Sequence, residues 1–340
     1  MSPASTPVRI AINGFGRIGR NVFRALIEAQ RNDVEVVAIN DLGPPESNAH
    51  LLRYDSVHGR LKHEVTVTDN SISVAGRTVK VLKERDPTKL PWKDLNIDIV
   101  AECTGIFTEK EKAKVHLEAG AKRVLVSAPS SGADLTVVYG VNHQKLTKDH
   151  LVVSNASCTT NCLVPVVYVL HKTFGVQHGY MTTIHSYTGD QPTVDTLHKD
   201  LHRARAAAVS MIPTSTGAAK AVGEVLPELK GKLDGSSIRV PTPNVSVVDF
   251  KCVLAKTVTE KDINEAMIAA SKGELKGVLD VNAAPLVSVD FNHTTASSTF
   301  DLPQTKVLQG NFARVLSWYD NEWGFSNRML DTMVAMGKVI

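Results

Sequence analysis

The chain has 340 residues, 43% hydrophobic and 21% charged, with a formal net charge of +3 at pH 7. That length favours two domains, the composition excludes a disordered chain, and the small charge excludes a strongly basic nucleic-acid binder. Four cysteines are too few for a disulfide scaffold, and no apolar run approaches the ~20 residues that cross a bilayer.

The opening segment, MSPASTPVRIAINGFG, lacks a charged stretch followed by an apolar one. No leader peptide is expected, so a cytoplasmic protein with reduced thiols is. Val8 to Asn13, VRIAIN, reads as a short apolar strand running into GFGRIG. Gly14, Gly16 and Gly19 satisfy G-x-G-x-x-G, and Ile18, Val22, Leu26 and Ala29 continue at helical spacing. A second apolar strand, VEVVAIN, ends at Asp41, about 20 residues after the last glycine.

Each part has a physical task. Gly14 permits a tight turn, Gly16 lets the backbone approach a pyrophosphate, and Gly19 allows close helix–strand packing. The helix start offers free N–H groups to phosphate charge. Asp41 can accept hydrogen bonds from an adenosine ribose and would repel a 2′-phosphate. A lone glycine motif is weak, but strand, turn, helix, strand and acid together point to dinucleotide binding.

Further along, IDIVAECTG (97–105) and KRVLVSAP (122–129) read as buried parallel strands, with EKEKAKVHLEAG as an amphipathic helix between them. Ligands of such sheets sit beyond the carboxyl ends of the strands, which makes Ser127 a candidate cofactor contact or a simple turn serine.

The organisation changes after about residue 155. SCTTNCLVPVVYVLHKTFG reads as a helix with Cys158 in its first turn and with an irregularity expected at Pro165. Cys158 and Cys162, one helical turn apart, are poorly placed for a disulfide, and the second ligand pair of a zinc site is missing. Two readings of Cys158 remain: a buried structural cysteine, or a thiol whose pKa the helix start lowers. Cys162 reads as a packed residue. GYMTTIHSYTGDQ (179–191) is an alternating strand with His185 near its end, and Cys plus His is what thiol catalysis with a base requires. Arg203, Arg205 and Lys220 then surround a loop of small residues, and Arg239 lies in the first of two β segments. WYDNEWGFSNRMLDTMVAMGKV turns from strand to amphipathic helix.

INGFGRIGR, NDLGPPESNAHLLRYDSVHG, SNASCTTNC, IHSYTGDQ, PTSTGAAKAVG, RVPTPNVSVVD and SWYDNEWGFSNRM together resemble the phosphorylating glyceraldehyde-3-phosphate dehydrogenase family, from about Val8 onward. The resemblance implies an α/β chain: a Rossmann-type, doubly wound NAD domain, 1–157 completed by a C-terminal helix 322–340. It also implies an α+β catalytic domain with a mixed sheet, 158–321, and a homotetramer. NAD is the implied cofactor, held by Gly14, Gly16, Arg17, Ile18, Asp41, Arg85, Ser127 and Asn321. Cys158 matches the catalytic thiol and His185 the base, with Ser157 and Thr159 beside the substrate. Thr188 and Arg239 resemble the site for the phosphate of D-glyceraldehyde 3-phosphate. Arg203, Thr216 and Gly217 resemble that for attacking inorganic phosphate. No metal, and neither nucleic acid nor membrane as main partner, is implied. Many NAD-specific members carry Leu-Pro where this chain has Thr196-Leu197, so exclusion of NADP is not implied. Erythrose-4-phosphate dehydrogenase, a sister enzyme, is the alternative; the intact SYTGDQ and TSTGAAKAVG segments favour the three-carbon substrate.

Overall fold

The computed structural model describes residues 6–340. The first five residues, on which the leader-peptide reading and the start of the 1–157 domain partly rest, lie outside the described residues. The chain forms two compact units. One comprises residues up to Val137, Asn142–Ala156 and Ser326–Ile340; the other comprises Val138–Val141 and Ser157–Phe325.

The first unit contains β1 (Val8–Asn13), β2 (Val34–Asn40), β3 (Val65–Thr68), β4 (Ser71–Val74), β5 (Arg77–Leu82), β6 (Ile99–Glu102), β7 (Arg123–Val126), β8 (Leu135–Thr136) and β9 (Val152–Ser154). They form one sheet in the order β3-β4-β5-β2-β1-β6-β7-β9-β8. From β5 to β8 every pairing is parallel, and β3 and β4 add an antiparallel edge. β6, β7 and β9 are buried at every position, which is why they read as unbroken apolar runs rather than alternating ones. The chain adds β2 and then β5 on one side of β1 before crossing to place β6 on the other. That reversal opens a crevice at the carboxyl ends of β1 and β6.

α1 (Arg17–Glu28) follows β1 and buries Val22, Phe23, Leu26 and Ile27. The turn between them needs its glycines. Gly14 sits at φ +90°, and a Cβ there would lie 2.7 Å from the Thr104 backbone nitrogen. A Cβ on Gly19 would lie 2.1 Å from the Gly14 carbonyl. α2 (Pro45–Arg53) leads into the antiparallel edge.

The single helix expected between β6 and β7 is instead two short ones, α3 (Lys110–Ala113) and α4 (Val115–Glu118). The Leu117 N–H bonds to the Lys114 carbonyl three residues back, a tighter turn than the α-helical four. His116, fully buried and hydrogen-bonded to Trp92 and Glu102, fixes α4 at that turn.

The second unit opens with α5 (Cys158–Phe174), which runs unbroken through Pro165. Next come β10 (Val176–Ser186), β11 (Ile212–Thr214), α6 (Ala218–Val225), β12 (Leu233–Val240) and β13 (Ser246–Leu254). α7 (Glu260–Lys272), β14 (Leu279–Asn282), β15 (Ser298–Asp301), β16 (Lys306–Leu308) and β17 (Phe312–Tyr319) follow. The sheet order is β11-β12-β10-β13-β17-β15-β14, with β16 paired to β17. It is mixed: β10–β12 and β14–β15 are parallel and the other pairs antiparallel. α5 packs on one face against β10, β13, β15 and β17.

The last helix, α8 (Trp323–Gly337), is not the amphipathic helix its spacing suggests. Met329, Leu330, Met333 and Met336 are fully buried, and Ser326, Asn327, Arg328 and Thr332 are buried too. Polar side chains here are enclosed because they find partners: the Thr332 hydroxyl donates to Asn155 Oδ1 at 2.8 Å. Arg328 pairs with Asp331 at 2.6 Å.

Candidate active site and cofactor pocket

The crevice of the first unit is a cavity of about 360 Å³, lined by Asn13, Gly14 and Gly16, by Asn40 to Leu42, by Glu84, Arg85 and Pro87, and by Cys103, Thr104, Ile106 and Phe107. Of the sequence-expected cofactor residues it gathers Gly14, Gly16, Asp41 and Arg85. Gly16 is exposed, and a Cβ on it would meet no atom within 4 Å, so ligand can approach its backbone closely. Asp41 accepts from the Phe15 N–H at 2.9 Å and the Gly43 N–H at 2.9 Å, which fixes its carboxylate at the cavity rim. Arg17 and Ile18 begin α1, where free helix N–H groups suit an anion's charge. The Arg17 guanidinium meets Asp55 at 2.6 Å, and with the His58 and Val57 N–H groups it outweighs burial to hold that carboxyl down to about 2. Ser127 follows β7, its N–H donating to the Glu102 carbonyl. An open glycine, a helix start and a rim carboxylate fit a dinucleotide's phosphates and ribose.

The thiol centre belongs to the second unit. Ser157 caps α5, its hydroxyl accepting from the Thr160 N–H at 3.0 Å, and this sets Cys158 as the first helical residue. Just before it, Ala156 takes φ +56°, a left-handed conformation that costs a non-glycine residue free energy. Cys158 Sγ lies 3.5 Å from His185 Nε2. His185 Nδ1 lies 2.6 Å from the Ser186 carbonyl oxygen, which can only accept, so Nδ1 carries the proton and Nε2 turns its lone pair to the sulfur. Tyr319 ties the elements together. Its hydroxyl hydrogen-bonds Thr159 at 2.8 Å and Thr183 at 2.9 Å, and its ring stands edge-on to His185.

None of the four cysteines is in a disulfide. Cys162 is fully buried against Ser298 and Ser317, with its thiol pushed up to about 12 by burial. The expectation of a lowered Cys158 thiol needs correction. Burial pushes it up, and Arg239 and the hydroxyl and N–H groups of Thr159 only partly offset that. His185 is held down to about 3 by burial and by the positive charges of Arg239 and Arg203. Burial thus disfavours a lone charge on either group, whereas moving the proton from Sγ to Nε2 keeps the pair neutral overall. His185→Asn removes that acceptor. Alkylation of Cys158 followed against pH should show its midpoint moved to higher pH, whereas an unchanged profile would mean that the helix start alone activates the thiol.

Parallel pairing of β10 and β12 puts His185 in register with Arg239. Arg239 Nη1 donates to the Ser186 carbonyl at 3.3 Å, Thr188 Oγ1 at 3.1 Å and Gln191 Oε1 at 3.3 Å, so the expected Thr188–Arg239 pair forms. Arg239 Nε and Gln191 Nε2 are buried donors with no protein partner. Buried donors of this kind are the sort that an anion can satisfy. Arg203 bonds Thr214 at 2.8 Å and Asp190 at 2.9 Å. Thr216 accepts from the Ala218 N–H at 3.2 Å, and Gly217 is an exposed N-cap of α6. Arg205 and Lys220 do not join this group; they pair on the surface with Asp195 and Asp234. Asn321 Oδ1 accepts from the hydroxyls of Ser186 and Ser246, each at 2.9 Å, so its amide nitrogen is the end left to donate. Gln191, Tyr319, Asp190 and Ser246 were not singled out from the sequence. For Gln191 a signal existed, since it closes the SYTGDQ segment that also supplies Thr188.

An α/β unit with a dinucleotide-type crevice, together with a unit that pairs a thiol with a histidine, fits the class of NAD-dependent oxidoreductases. Residues 8–110 match the model of the glyceraldehyde 3-phosphate dehydrogenase NAD binding domain, and residues 157–321 match that of the family's C-terminal domain. The chain is 68% identical to a glyceraldehyde-3-phosphate dehydrogenase of Xanthobacter flavus, covering 98% of this chain and 99% of the relative. It is 66% identical to that of Cereibacter sphaeroides, over 98% and 99%, and 58% identical to that of Geobacillus stearothermophilus, over 95% and 96%. The chain belongs to the glyceraldehyde 3-phosphate dehydrogenase family, and NAD is its cofactor. No helix among the described residues is long and apolar enough to cross a membrane.

Proposed function

We propose that the protein converts D-glyceraldehyde 3-phosphate and inorganic phosphate to 1,3-bisphosphoglycerate through a thioester on Cys158. The observation that carries this is the 3.5 Å Cys158–His185 contact beside the buried, partly unpartnered Arg239. Cys158 transfers its proton to His185, the sulfur adds to the aldehyde carbon, and His185 returns the proton to the oxygen as the C=O π bond breaks, giving a hemithioacetal. The N–H groups of Cys158 and Thr159 face the sulfur and are placed to steady the oxyanion. His185 then takes the hydroxyl proton as the carbon loses hydride, and the C=O bond of the thioester forms. NAD, when bound, supplies the hydride acceptor. Phosphate attacks the acyl carbon, the C–S bond breaks, and Cys158 is restored. A thioester retains oxidation energy that a free acid would lose.

Thr188, Gln191 and Arg239 would bind the substrate's phosphate; Arg203, Thr216 and Gly217 would bind the attacking one. Asn321, Ser127, Arg85, Asp41, Arg17 and Ile18 would hold the cofactor. The proposed functional division is 1–157 with 322–340, and 158–321, whereas the compact units divide at Ala156/Ser157 and Phe325/Ser326. A cytoplasmic homotetramer is part of the reading. Its support is a run of exposed apolar side chains, Val194, Leu197, Leu201, Val209 and Met211, of a kind that subunit contacts cover. An assay of NADH formation with phosphate present or omitted, with both aldehydes and with NADP in parallel, tests the proposal. Turnover should need phosphate and favour the three-carbon aldehyde; a wild type indifferent to phosphate would remove the phosphorylating assignment.

A further inference from the structure

Beneath the cofactor crevice runs a buried chain of polar groups that the reaction does not use. Strand register aligns Asn13 of β1 with Asn40 of β2 and with Glu102 of β6, all at the carboxyl end of the sheet. Glu102 is 1% exposed and has no lysine or arginine partner among the described residues. Its Oε2 accepts from Asn13 Nδ2 at 2.7 Å and His116 Nε2 at 2.9 Å. Its Oε1 accepts from the Thr104 N–H at 2.8 Å and from the Thr104 hydroxyl. His116, fully buried, receives a hydrogen bond from Trp92 Nε1 on Nδ1 at 3.2 Å.

The donors settle the protonation pattern. Indole N–H can only donate, so Nδ1 of His116 is the acceptor and Nε2 carries the proton toward Glu102. Glu102 is then a carboxylate with four donors, two on each oxygen. An apolar side chain would fill this space without desolvating a charge; the carboxylate brings four directed bonds instead. Two of them hold Thr104, whose backbone abuts Gly14 so tightly that no Cβ fits between. Asn13, Gly14 and Thr104 all line the crevice, and so does Phe107, whose ring stands edge-on to His116.

We infer that Trp92, His116 and Glu102 are positioning residues for NAD: Trp92 fixes the histidine tautomer, the histidine fixes the carboxylate, and the carboxylate locks Thr104 against the glycine turn. This rests on NAD binding by the first unit. Glu102→Gln offers one oxygen and must turn its amide donors toward two other donors, whichever way it flips. Trp92→Phe keeps an aromatic ring, smaller than the indole, but removes the donor, allowing the tautomer that would turn a lone pair toward the carboxylate.

The test measures NAD dissociation constants, kcat and KM for NAD, and thermal midpoints for the full chain. Glu102→Gln and Trp92→Phe should each weaken NAD about 10-fold, the loss expected when a charged group's hydrogen bond goes, with kcat at saturating NAD within about 2-fold. His116→Gln, which can both accept and donate, should retain more affinity than His116→Leu. Leu26→Ala, which opens a void in the α1 core, is the stability control. Unaltered NAD affinity in both Glu102→Gln and Trp92→Phe would overturn the inference. So would an equal loss of affinity in Leu26→Ala, because the role would then be general stability. Wild-type titration in the same series separates these results from a failure of NAD binding itself.

Discussion

Cys158→Ser should abolish turnover, by roughly 10³-fold or more, while NAD still binds. Serine fits the N1 position of α5, and its smaller oxygen removes no packing that the Ser157 cap depends on. What it loses is a group that can pass its proton to a weakly basic imidazole. A serine hydroxyl is a far weaker acid than a thiol, and no departing hydride assists its ionisation, so His185, held down by burial, does not generate the alkoxide nucleophile. Cys162→Ser, one turn along, should keep substantial activity. Ser298 Oγ at 3.4 Å and the Ser317 carbonyl at 3.7 Å from Sγ give a serine hydroxyl partners. Its cost should be about 1 kcal/mol of stability. Stopped-flow NADH formation and NAD titration on both variants make the comparison. Comparable activity losses in the two would sink the division of roles within SCTTNC.

Arg203→Ala and Arg239→Ala should separate the two phosphates the proposed reaction must hold. Removing a hydrogen bond to a charged group costs about 1.5–3 kcal/mol, or roughly 10- to 150-fold in affinity. Arg239→Ala should fall chiefly on the phosphorylated aldehyde and spare an unphosphorylated analogue's KM. The analogue's acylation should still slow somewhat, because the Arg239 charge also pulls the Cys158 thiol down. Arg239→Lys keeps that charge but not the planar fork, and so should rescue acylation better than substrate affinity. Arg203→Ala should weaken saturation by inorganic phosphate, with acyl-enzyme accumulating as a burst of NADH. Equal effects of both alanine variants on both substrates would mean that the arginines serve general structure.

Local chemistry was the legible part of the sequence. The glycine turn was readable because only glycine tolerates φ +90° at Gly14 and the contact at Gly19. Cys158 was readable as a helix-start residue because Ser157 is a strong N-cap. The 110–118 helix was misread as continuous because the turn at Lys114 is set by His116 reaching Trp92 and Glu102, partners 24 and 14 residues away. The rise of the Cys158 thiol was hidden for the same reason, since burial is a property of the packed sheet. Tyr319 meets Thr159 across 160 residues of sequence, a contact no local spacing encodes. Alternation failed for α8 because its polar side chains have buried partners.

The discontinuous make-up of the first unit has a consequence for synthesis. Arg123, 3% exposed, donates to the carbonyls of Met336 at 3.2 Å and Val339 at 2.6 Å, and Arg31 pairs with Asp331 at 2.5 Å. On a growing chain those acceptors emerge only after the whole of Ser157–Phe325 has been translated, roughly 10–30 s after Ala156 at ordinary elongation rates. During that interval the nucleotide-binding sheet has its strands, and Arg123 can reach the Thr147 and Lys148 carbonyls, but the C-terminal acceptors that complete its hydrogen bonds are missing. The catalytic unit, nearly contiguous in sequence, can close first. The usual order of maturation along a nascent polypeptide is thereby inverted: the half that begins on the ribosome is the half that finishes last.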